Sequence, residues 1–181
     1  MTDVLEEAAR IQAILERRAS VLAQAPQAEE PGESIELVVV ALGAELYGID
    51  ILQVQAIQML VGLTPVPGLP ACWAGLVNLR GRLYPVLSLR RYLALVEPAG
   101  AASTGKVVLA TAAKLTVALW VDDVLEVRRV PLAQIGAPLA DADAQARRGA
   151  GVRGITPDLL LVLDLEALLG DPRLVVQGQS N

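Results

Sequence analysis

A chain of 181 residues with no histidine and a single cysteine has no imidazole base or metal ligand, no phosphohistidine relay and no internal disulfide. Its 15 Lys plus Arg against 20 Asp plus Glu leave a formal charge of -5, which argues against an electrostatic footprint for nucleic acid or anionic lipid. Aromatics are 3% of the chain and Phe is absent, so the core has to be aliphatic, with Val and Ile favouring strands and Ala and Leu favouring helix.

Residues 3–24 carry a helical stripe. Val4, Ala8, Ile11, Leu15, Ala19 and Leu22 recur at steps of three and four. Asp3 suits the N-cap with Glu6 reaching back to it, and Glu6 and Arg10 form an i,i+4 pair. Such a helix serves equally to pack on the body of the domain or to meet another molecule. The acidic opening is unlike a signal peptide, and no apolar run reaches the ~20 residues of a membrane span, so a cytoplasmic protein without membrane insertion is expected. Pro26, Glu29, Glu30, Pro31 and Gly32 mark a linker. The expected division is a helix over 1–25, a linker over 26–34, one domain over 35–172 and a loose tail over 173–181.

From Ile35 the chain becomes a series of short β-rich runs. Ile35–Leu42 and Glu45–Ile51 form a hairpin about Gly43-Ala44. Thr64–Pro70, with three prolines, is a stiff loop. Gly75–Arg80 and Leu83–Leu89 pair around Gly81. Strands follow at Val107–Thr111, Leu115–Val121, Val124–Val130 and Leu159–Leu163, and a short closing helix starts at Asp164. An internal echo aligns Val54 and Ile57 with Val124 and Val127, and Pro85–Leu89 with Leu161–Leu165. The expected fold is mainly β, with two similar lobes of the kind that close into barrels.

Catalytic patterns are missing. Asp122-Asp123 with Glu126 fits a turn better than a cation site, because neighbouring strand residues face opposite ways. Gly149–Gly154 opens no helix and makes a poor phosphate cradle. Ser88 and Ser103 have no base, and Cys72, in an apolar stretch, reads as a structural thiol. The informative stretch is Gly75–Arg90. There Leu76, Asn78 and Arg80 share one strand face and Val77 and Leu79 the other. Arg80 stands at the Gly81 turn, placed either to pair with a carboxylate or carbonyls on a partner or to pin its own hairpin through an internal bridge. Arg80, Arg82, Arg90 and Arg91 together are a candidate basic patch.

Asn78-Leu79-Arg80-Gly81 followed by Pro85-Val86-x-x-Leu89-Arg90 resembles the signature of CheW-like domains. Tyr47–Ile51, Val54, Thr64–Pro70, Val121-Asp122-x-Val124 and Leu161–Leu165 resemble the family too, in collinear order over about 35–170. The resemblance implies two intertwined five-stranded β-barrels with a groove between them. It implies a non-enzymatic chemotaxis adaptor that needs no cofactor or metal. Such an adaptor holds the cytoplasmic tip of a methyl-accepting chemoreceptor against the regulatory domain of a CheA-type histidine kinase, in arrays at the membrane. By the same resemblance Arg80 and Asn78, with the Gly81 turn, lie at the receptor groove, and Val54 and Ile57 form its apolar wall. Ala56 and Ser88 depart from the family, which commonly has Glu and Asp there. Those departures keep open an adaptor for another output, such as type IV pilus motility. A β-barrel oligonucleotide binder would need stacked aromatics and a basic groove, which this composition lacks. A small hydrolase has no nucleophile motif to support it.

Overall fold

The structure, a computed structural model, describes residues 32–96, 105–137 and 151–175. The chain divides at Gly32, and the architecture below belongs to the unit Glu33–Asn181. The helix expected over 1–25, most of its linker and residues 176–181 lie outside the described residues.

Ten strands are present among the described residues: β1 (Ser34–Leu42), β2 (Glu45–Asp50), β3 (Val54–Met59), β4 (Trp73–Leu79), β5 (Arg82–Ser88), β6 (Lys106–Ala112), β7 (Leu115–Val121), β8 (Asp123–Pro131), β9 (Val152–Ile155) and β10 (Leu160–Leu163). Two short helices, α1 (Leu89–Tyr92) and α2 (Leu165–Leu169), follow β5 and β10. They form two five-stranded sheets, β8-β1-β2-β10-β9 and β3-β6-β7-β5-β4. The second sheet is built entirely between β2 and β8 of the first, so the two lobes are intertwined in the chain.

The echo in the sequence is a repeat of register. Val38 pairs with Val127 and Val40 with Tyr47. Seventy residues on, Val108 pairs with Ile57 and Ala110 with Val117. The same bulge recurs, at Leu125 in β8 and at Gln55 in β3. The parallel pairs β10–β2 and β5–β7 correspond as well. Each then runs into a helix capped by its first polar residue: Ser88 accepts from Arg91 N, and Asp164 from Ala167 N at 3.0 Å. Ser88 thus keeps the capping role of its acidic counterpart.

Both faces of each sheet are covered, which is why β1 carries a continuous buried run, Leu37–Val40, instead of an alternating one. Val38 and Val40 face a large cluster shared by the two sheets, with Leu87, Val108 and Leu119 from the second sheet and Leu89 from α1. Leu37 and Val39 face a smaller cluster with Val130, Leu160 and Val162. The second sheet has its own, built from Val77, Leu79, Val86, Val107 and Leu109. Among the described residues no helix is long and apolar enough to cross a membrane.

Closed barrels are not what forms. Each lobe is an open sheet whose end strands, β8 and β9 or β3 and β4, do not pair. Between β3 and β4 the chain spends Pro65, Pro67 and Pro70, which have no N–H to offer a ladder, and a single bridge, Thr64 to Leu76, is all that reaches β4. Gly136 to Ile155 is the matching bridge in the other lobe. At both bridges a glycine lets backbone meet backbone. A Cβ on Gly75 would lie 2.1 Å from the Thr64 carbonyl oxygen, and one on Gly154 2.5 Å from that of Gly136. Arg173 and Leu174, expected in a loose tail, belong to a 3-10 turn (Pro172–Leu174) with Leu174 buried.

Ala113 and Lys114 join β6 to β7 with positive φ at both positions, 50° and 64°. That is the type I′ pattern, which favours Asn-Gly. Lys114→Gly relieves about 1–2 kcal/mol of left-handed strain and gives back about 0.5–1 kcal/mol in unfolded-chain entropy. A net gain of about 0.5–1 kcal/mol is expected, visible as a raised urea midpoint at unchanged m.

Candidate functional site

The β4–β5 hairpin presents the signature residues. Val77 and Leu79 are buried in the second sheet's own cluster, while Asn78 and Arg80 are exposed, as the alternation predicts. The turn has two residues, Arg80 (φ 53°) and Gly81 (φ 82°), flanked by the pair Leu79–Arg82. Asn78 Oδ1 accepts from Gly81 N at 2.9 Å and ties the turn to its strand. Glycine is at home at the second position; arginine at the first costs roughly 1 kcal/mol and has to be held there by the hairpin. The Arg80 guanidinium makes no hydrogen bond or ion pair among the described residues, so the internal bridge has no partner there. Arg82 is exposed on the same turn, and Leu83, opposite Asn78, is 67% exposed.

Val54 and Ile57 are three residues apart, which on a regular strand puts them on opposite faces. The bulge at Gln55 corrects this: Val54 opposes Ala110 and Ile57 opposes Val108, both members of the shared cluster. The two therefore lie on one face of β3, Val54 packed on that cluster and Ile57 42% exposed, with Met59 beyond it. Asn78, Arg80 and Gly81 form one tip. Val54 and Ile57 form another group, and three strands separate β3 from β4 in the sheet order.

Arg90 is not part of a free basic patch. Its Nε donates to Asp122 Oδ1 at 2.7 Å, a second nitrogen meets Oδ2, and Nη1 donates to the Val96 carbonyl at 2.8 Å. Asp122 Oδ2 also accepts from Gly43 N at 2.7 Å. This bidentate clasp joins α1, the β7–β8 crossover and the β1–β2 turn, and the Arg90 hydrogen bonds hold the Asp122 carboxyl below its ordinary pKa. Removing Asp122 takes the paired carboxylate from a guanidinium that is only 16% exposed and leaves it the Val96 carbonyl. Asp122→Ala is expected to cost about 1–2 kcal/mol in denaturant titrations, the lower part of the range for such a pair because the carboxylate is partly solvated. Asp123 turns away to Lys106 at 2.5 Å, which lowers its pKa in turn.

A second polar cluster lies where the 3-10 turn Pro172–Leu174 meets the other sheet. The buried Tyr92 hydroxyl donates to Asp171 Oδ2 at 2.9 Å, and Arg173 donates to the same carboxylate at 2.7 and 2.9 Å while lying 4.6 Å over the Tyr92 ring. Trp73 Nε1 donates to the Leu174 carbonyl at 3.0 Å. The half-buried Cys72 thiol is pushed up in pKa by burial, consistent with a structural role. Sequence reasoning places Arg90 in a basic patch and Asp122 in a turn but does not pair them, and nothing in the sequence signals the Tyr92–Asp171 contact.

Compared with known proteins, the chain matches the CheW-like domain over residues 36–173. It is 30% identical over 148 residues to the chemotaxis protein CheW of Klebsiella aerogenes, covering 80% of this chain and 89% of that one. Identity to the probable chemotaxis protein CheW of Rhizobium etli is 26% over 137 residues, 75% and 88% of the two chains. With CheW of Treponema pallidum it is 40% over 65 residues, a stretch that spans 36% of this chain and 38% of that protein. The crystal structure of the scaffolding protein TtCheW from Thermoanaerobacter tengcongensis superposes with a TM-score of 0.67 at 26% identity, over 78% of this chain and 96% of the other. A match running from β1 to the last 3-10 turn leaves no strand of either sheet outside it, and the chain belongs to the CheW-like domain family.

Proposed function

We propose that this protein is a non-enzymatic chemotaxis adaptor, holding the cytoplasmic tip of a methyl-accepting receptor against the regulatory domain of a CheA-type kinase. It would do so in the cytoplasm, at membrane-associated arrays. The observation that carries the reading is the collinear match to chemotaxis CheW proteins over both intertwined sheets. The hairpin supports it locally. Arg80 is exposed, without an intramolecular partner among the described residues, and seated in a conformation that turn chemistry alone would not choose. Asn78 holds the tip in shape and Gly81 makes the turn possible. Val54 and Ile57 supply an apolar strip on an edge strand, a surface suited to the apolar face of an amphipathic helical tip.

The test is a pair of calorimetric titrations of the full chain, one against the kinase regulatory domain and one against a receptor-tip fragment. Saturable binding to both is expected. A folded protein that binds neither contradicts the proposal.

A further inference from the structure

We propose that the free edge of β8 pairs antiparallel with β8 of a second copy of this chain, about a two-fold axis through Val127. Among the described residues β8 ends its sheet, with β1 as its only strand neighbour. It is nine residues long, and Leu125, Glu126, Val127 and Arg129 are exposed along it, Val127 at 55%. An unpaired edge of that length is a template for another strand.

The charges select both the partner and the register. Opposed residues in an antiparallel pair share a face, so a two-fold pairing of identical strands must centre on one residue. Centred on Glu126 or on Arg128, it sets two like charges against each other at the axis. Centred on Val127, it sets Glu126 of each copy opposite Arg128 of the other and brings the two exposed valines together. Within one chain Arg128 already bridges Glu126 at 2.5 Å and also pairs with Asp158, which holds its guanidinium at this edge. β3, the counterpart of β8 in the other sheet, is also an edge but carries Gln55 and Gln58, with no charge to fix a register.

The full chain, studied by sedimentation equilibrium in reductant from about 10 to about 500 µM, is expected to show a weak monomer–dimer equilibrium. Glu126→Arg and Arg128→Glu each place two like-charge pairs across the axis and should weaken dimerisation about tenfold or more. The exchange Glu126→Arg/Arg128→Glu restores unlike pairs and should restore the dimer, with circular dichroism confirming that all three variants fold. A wild-type monomer at every concentration, single reversals without effect, or an exchange that fails to rescue each overturns the proposal. So does a monomer whose β8 amides become protected only when the kinase regulatory domain is added, which assigns the edge to a different protein.

Discussion

Arg80→Asn is expected to make the protein more stable and a worse adaptor at once. Asparagine tolerates the left-handed conformation that Arg80 adopts at φ 53°, so the substitution should gain about 0.5–1 kcal/mol and raise the melting temperature by roughly 1–4 °C. If Arg80 anchors the receptor tip, its loss should weaken that complex by about 2 kcal/mol or more, around thirtyfold, as for a buried interface arginine. The two effects have opposite signs only if the residue serves a partner. A hairpin pinned by Arg80 would instead lose stability on substitution. Thermal melts and calorimetry on one preparation separate the cases, with Arg82→Asn as a neighbouring control outside the proposed contact.

Asp171→Ala is expected to cost about 3 kcal/mol at neutral pH, lowering the melting temperature by roughly 6–12 °C. It leaves the buried Tyr92 hydroxyl without its acceptor and breaks the Arg173 pair. The wild type should carry a matching pH signature. The Arg173 hydrogen bonds, helped by the Arg173 backbone N–H and the Tyr92 hydroxyl, hold the Asp171 carboxyl at about 2, against an ordinary 3.8. A depressed folded pKa means stability that is complete above the ordinary value and lost as the pH falls from about 4 to about 2. About 2 kcal/mol should disappear over that window, and Asp171→Asn, which cannot titrate, should lack that part of the loss. Tyr92 runs the other way. Burial, reinforced by the Asp171 carboxylate, pushes its hydroxyl up to about 12, so its contribution is complete below pH 10 and fades as the pH rises towards 12.

What the sequence made legible follows from how local each determinant is. The β1–β2 and β4–β5 hairpins are written in apolar runs punctuated by Gly43 and Gly81, and they form where expected. The Val54/Val124 and Pro85/Leu161 echoes proved to be a shared register, because the two lobes bury equivalent positions. β3 was harder to delimit, since the bulge at Gln55 breaks the period of two, and four-residue β9 is too short to show a period. Barrel closure could not be read at all. It depends on whether strands far apart in sequence, β3 and β4 or β8 and β9, meet edge to edge, and they do not. The same distance hid the ion pairs: Arg90 finds Asp122 across 32 residues and Tyr92 finds Asp171 across 79, with no periodic trace of either. Of the candidate site, the turn at Arg80 was legible, but its left-handed backbone was not, because arginine is not a residue that announces one.

The most direct measurement of the coupling role is kinase autophosphorylation, with receptor-containing membranes and the CheA-type kinase, in the presence and absence of this protein. The rate should respond to receptor ligand only when the protein is present, and Arg80→Glu should remove the response while leaving the protein folded. A rate that ignores the folded wild-type protein, with receptor and kinase both shown to be active, would contradict the coupling role.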